Sequence, residues 1–184
     1  LSAQSAEDVL QKVSVAMTAE QWEQAVSLFR QAIQLNADKS EMFYWTSVDK
    51  ASSVGTKMAQ ELAFHYKTMR SYDKAYLFCK EVLQKNPNDV KWLAACAETE
   101  VCRGKEKDSL LTYQKVLSLD VNHLAANIFV GNYYYLMAEQ EKQQLMRDYK
   151  KISSPTRMQY ARYKDGLSKL MTDGYGKAKE YLQN

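Results

Sequence analysis

Proline occurs twice and glycine six times in these 184 residues. Neither count suits a chain of many tight turns, and no valine-, isoleucine- or threonine-rich run is bounded by turn residues, so strands are not expected. Long hydrophobic runs are missing as well. Val121 to Ala138 carries no formal charge, but it contains Asn122, His123, Asn127 and Asn132, each costly in lipid, and no membrane span is predicted. Cysteine is scarce and odd in number. Cys79, Cys96 and Cys102 show no metal-ligand spacing, and Cys96 and Cys102 stand six apart on one predicted helix, where their side chains diverge and cannot pair. Free, mostly buried thiols are expected. No charge of one sign dominates: 25 basic residues face 22 acidic ones. They are interspersed as in Lys105, Glu106, Lys107 and Asp108, which reads as solvated helix faces and not as a nucleic-acid surface.

What is present is helical periodicity. From Tyr72 the chain places Ala75 three residues on, Cys79 four beyond that, then Val82 and, after five more, Pro87. These are the intervals of one helix face followed by a break. Upstream, Leu62, Ala63 and Tyr66 form a second face, separated from the first by a short turn around Arg70 and Ser71. One constant step carries Leu62, Ala63 and Tyr66 onto Cys96, Ala97 and Glu100, and a second equal step carries them onto Val130, Gly131 and Tyr134. Ala75 and Cys79 map in the same way onto Ser109 and Tyr113. Small residues return at 63, 97 and 131, as two closely crossing helices require.

This unit resembles the tetratricopeptide repeat, and the resemblance covers most of the chain. It implies an all-α, right-handed superhelical solenoid of antiparallel helix pairs, of bacterial type, forming one domain over 1–184. About four to five repeats are expected, at about 6–39, 56–89, 90–123, 124–152 and 159–184. The first is strong in Trp22, Ala25, Phe29, Ala32 and Ile33, with Thr18 and Gln21 at capping-box spacing. The last two are irregular: Gln143 replaces the small residue of a second helix in one, while Gly166, Tyr175, Ala178 and Leu182 carry the other. An insertion at about 40–55 brings Met42, Phe43, Tyr44 and Trp45.

Catalytic chemistry finds little to use. Glu61 and His65 share a helix side but lack a third ligand, so no metal is expected. His123 falls in a turn, where capping is its natural role. Asp173-Gly174-Tyr175-Gly176 lacks the continuation of a phosphate loop. Cys79 and Cys96 occupy core positions, where a thiol is inert. No catalytic residue and no cofactor are predicted, and the chain is expected not to be an enzyme.

The resemblance instead points to a protein or peptide partner held in a concave groove. The groove positions are Lys57, Gln60, Phe64 and Lys67, then Lys91, Ala94, Glu98 and Val101, then Ile128, Asn132 and Tyr135. The alternative is a small-ligand binder or enzyme whose pocket the 40–55 insertion closes over that groove. Leu1 to Ala3 resembles the end of an export signal cut after Ala3, so an exported or periplasmic chain is expected, with a cytoplasmic one as the alternative.

Overall fold

Three turns of the same geometry organise residues 6–119. Helix α1 (Ala6–Thr18) ends as Glu20 enters the left-handed region at φ 56°, and α2 (Trp22–Leu35) begins two residues later. Arg70, at φ 58°, does the same between α4 (Ser53–Thr68) and α5 (Tyr72–Lys85). Gly104, at φ 75°, separates α6 (Val90–Cys102) from α7 (Glu106–Leu119). In each turn an amide reaches back five residues to a carbonyl: Gln21 to Ala16, Ser71 to Tyr66 and Lys105 to Glu100, all at 2.8 Å. This closure satisfies carbonyls that the ended helix leaves open and reverses the chain within three residues.

The computed structural model describes residues 4–183, and among them there is no strand. Leu1 to Ala3, on which the export reading rests, lie outside the described residues. Packing separates two compact units, the first ending at Ser109 and the second starting at Leu110.

In the first unit α1 packs on α2, α4 on α5, and α5 on α6. Their contact faces carry the small residues that the period singles out: Ala25, Ala63, Ala75 and Ala97 are all buried. Phe29, Phe78, Leu62, Met58 and Val82 fill the core between them and are fully buried. The insertion forms a further helix, α3 (Ala37–Ser47), capped by Asn36. Its Tyr44 is 1% exposed and meets Phe78 edge-on at 5.7 Å, while Phe43 lies 6.2 Å from Phe29 and Trp45 lies 5.5 Å from Phe78. Burying rings of this size is favourable by roughly 1.5 to 3 kcal/mol each, which makes α3 part of the core.

Thr18 does not cap α2. It is still helical, its hydroxyl bonds the Ser14 carbonyl, and Gln21 precedes α2 without a side-chain cap. The short turn leaves no room for a capping box there. The boxes that do form are Ser5 with Asp8 and Thr156 with Gln159.

The second unit departs from the helix pair expected at 124–152. That stretch is one uninterrupted helix, α8 (Leu124–Lys150), about 40 Å long at 1.5 Å per residue. No proline, glycine or left-handed residue follows Gly131 until Pro155, so nothing stops it earlier. The chain then returns through α9 (Arg157–Lys169), a π-helical segment at Leu170–Tyr175 and α10 (Gly176–Leu182), all packed on α8. The helix that pairs with Gly131 is therefore α10. In the earlier repeats the second helix follows at once, so that Ala75 answers Ala63 and Ser109 answers Ala97 across a single short turn. Between Gly131 and Ala178 stand the rest of α8, all of α9 and the π-helical segment. A long helical hairpin has been inserted between the two halves of one repeat.

Candidate partner-binding surfaces

The groove positions of the first unit lie on α4 and α6. Both helices are held inward by apolar residues three and four apart, so the intervening positions face outward. Phe64 is 48% exposed, and its ring rests 5.3 Å from that of buried Trp92. Gln60 is half-buried, Val101 is 36% exposed, and Lys57, Lys91 and Glu98 are exposed, with Ala94 partly covered. Lys67 is exposed as well and has a neighbour of its own. Its Nζ bonds Glu98 at 3.0 Å, tying α4 to α6.

Sequence reasoning missed Arg30 on α2. Its guanidinium grips Glu61 through two bonds of 2.7 and 2.9 Å, the bidentate geometry that only arginine supplies. Glu61 is thereby engaged, and no cluster of metal-ligating groups exists among the described residues. The bridge separates two small clefts. One of about 260 Å³ is bordered by Ile33, Phe64, His65 and Met69; the other, of about 290 Å³, by Glu23, Val26, Lys57 and Gln60. A signal was available: Arg30 stands as far before Glu61 as Lys67 stands before Glu98, a separation close to one repeat.

In the second unit Ile128, Asn132 and Tyr135 all stand exposed on α8. Tyr135 already has a neighbour from its own chain: Tyr175 meets it edge-on at 5.6 Å and donates its hydroxyl to Glu139 at 2.6 Å. That hydrogen bond, ahead of desolvation, pushes the Tyr175 phenol up to about 12. His123 caps α8, its Nδ1 accepting the Ala126 amide at 3.2 Å.

The thiols are placed as their periodicity requires. Cys79 and Cys96 are buried and Cys102 is exposed. Burial raises Cys79 to about 11. Burial and the neighbouring Glu100 carboxylate raise Cys96 to about 12. Neither is a nucleophile at neutral pH.

No family model and no curated protein matches the chain. Among solved structures, a Bacteroides ovatus ATCC 8483 protein described as a candidate protein-binding protein is 63% identical. The match covers 98% of this chain and 87% of that one, with a TM-score of 0.88. The chain belongs to the family of that protein. Its described residues form helices joined by three equivalent turns, in agreement with the resemblance to tetratricopeptide repeats. MamA MSR-1 C2 and YrrB, a TPR protein with an unusual peptide-binding site, align at 14% and 13% identity over 98% and 97% of this chain. The matches cover 78% and 84% of those chains, and their TM-scores, 0.45 and 0.44, add nothing to the assignment.

Proposed function

We propose that the chain is a protein-interaction scaffold that holds a partner polypeptide on the α4 and α6 face of its first unit. The observation that carries this reading is Phe64. A half-exposed ring backed by Trp92 and bordering a cleft, with Lys57 exposed on the same helix and Lys91 exposed on α6, suits an apolar anchor on a surface that also carries charge. The description of the Bacteroides ovatus relative agrees with it. Ile128, Asn132 and Tyr135 are candidate contacts on α8. The alternative of a ligand pocket closed by the 40–55 insertion loses its lid, because Phe43, Tyr44 and Trp45 are committed to the core.

The test is affinity capture with the native chain and with Phe64→Ala, quantified by mass spectrometry. A polypeptide retained by the native chain and lost from the variant, at unchanged helicity, supports the reading. Equal yields from both would remove the α4 and α6 face as the binding surface.

A further inference from the structure

The far end of the inserted hairpin concentrates positive charge. Between positions 147 and 164 stand Arg147, Lys150, Lys151, Arg157, Arg162 and Lys164, with Asp148 the only acidic residue among them. All six cations are exposed. Among the described residues, none of them pairs with a carboxylate, whereas Arg30, Lys39, Lys67, Lys74 and Arg103 of the first unit all do. What contacts the hairpin cations do make are with neutral groups: Arg147 with Gln144, Arg162 with the Met158 sulfur, Lys164 over the Tyr160 ring.

Helix electrostatics account for part of this and not the rest. Arg147 and Lys150 lie in the last turn of α8, where the dipole favours cations. Arg157 lies in the first turn of α9, where the dipole opposes one. Concentrated like charge without internal counterions is stabilised by an external anion.

The side chains among these cations say which kind. Met158 is 65% exposed and Tyr160 50%, so the surface is apolar as well as basic. A bilayer would be entered by the apex of the hairpin, yet the apex is Ser153, Ser154 and Pro155, with no bulky apolar side chain. The exposed apolar groups, Met158 and Tyr160, stand in the first turn of α9, interspersed with Arg157 and Arg162, a pattern that suits a chain carrying both acidic and apolar side chains. Methionine suits such a surface because its flexible thioether adapts to varied side chains.

We infer that the α8–α9 hairpin end is a second docking surface, and that its partner is an acidic polypeptide segment with interspersed apolar residues. It shares no residue with the Phe64 face, so either can fail alone.

The probes are fluorescein-labelled poly(Glu) and poly(Glu,Tyr), with anisotropy measured on the full chain at low and physiological salt. Expected is salt-sensitive binding of both, tighter for poly(Glu,Tyr), and weakened roughly tenfold or more by Lys150→Glu with Lys151→Glu. The milder pair Arg157→Gln and Arg162→Gln should weaken it in the same direction, and Met158→Ser should remove the preference for poly(Glu,Tyr). Reversal of Lys57 and Lys91 to Glu should weaken binding far less than the hairpin pair does. The inference is overturned if the hairpin variants bind like the native chain at equal helicity, if the Lys57 and Lys91 pair carries the binding instead, or if a DNA oligonucleotide or anionic phospholipid vesicles bind more tightly than either polymer.

Discussion

Gly131 lies against Ala178, on the far side of the inserted hairpin: a Cβ placed on Gly131 would stand 3.3 Å from the Ala178 carbonyl oxygen. It would also come within 2.6 Å of Leu182 Cγ, the end of a side chain that can move. Gly131→Leu should therefore destabilise by about 1 to 3 kcal/mol through overpacking, and Gly131→Ala by less. Thermal or urea unfolding followed by circular dichroism measures both.

The same contact shows where the sequence was legible and where it was not. Period and small residues marked Ala63, Ala75, Ala97 and Gly131 as crossings, and all four are buried. Tyr175, Ala178 and Leu182 were visible as a second-helix pattern too. Their pairing with Gly131 was hidden because a period search looks for the second helix just past the next turn, while a hairpin insertion lengthens the loop at an entropic cost that grows only logarithmically. The groove face is harder still, since outward positions carry no packing constraint. Lys67 and Phe64 occupy such positions alike, yet the first pairs with Glu98 and the second rests on Trp92.

Arg70 adopts the left-handed conformation that Gly104 adopts at the same place in the next repeat. A side chain there costs about 1 to 2 kcal/mol relative to glycine. Arg70→Gly should raise stability by about 0.5 to 1 kcal/mol after the added flexibility of the unfolded chain is subtracted. An unchanged or lowered melting temperature would show that the Arg70 side chain makes a compensating contact.

Glu41 joins three helices: it accepts from Tyr66 of α4 at 2.5 Å, from Lys74 of α5 at 2.9 Å and from Trp45 of its own helix at 3.4 Å. Burial raises its carboxyl, but these hydrogen bonds outweigh burial and leave it below the usual range. A depressed folded value means that its stabilisation is present above the unfolded pKa, near about 4.3, and is lost as pH falls through the folded one. Unfolding midpoints measured from about pH 6 downward should thus decline less steeply for Glu41→Gln, at a lower plateau.

Only Cys102 should react with a thiol reagent at about pH 8 in the native chain, with Cys79 and Cys96 appearing after denaturant is added. Counting the released chromophore before and after denaturation checks this. Two fast thiols would mean that the α5 and α6 core opens.

Replacing Tyr44 by Ala should cost about 3 to 5 kcal/mol, the range for large aromatic truncations. It would remove the ring that α3 inserts beside Phe78 and its hydroxyl contact with Glu81. Tyr44→Phe, which keeps the ring, should cost about 1 kcal/mol. Chemical denaturation separates the two.

The π-helical segment at Leu170–Tyr175 acts as a vernier between two rulers. Leu170, Gly174, Ala178 and Leu182 recur at every fourth position, a spacing that would drift around a regular helix by about 40° per step. Wider turns absorb that drift, so Leu170 and Ala178 both stay buried, Gly174 abuts Ala138, and Leu182 reaches Gly131. A regular helix of the same six residues would turn about 100° further before reaching Ala178. Tyr160 and Tyr163 would still face Tyr149, while Ala178 and Leu182 would swing away from Gly131, unfastening the repeat at its end and leaving the hairpin whole.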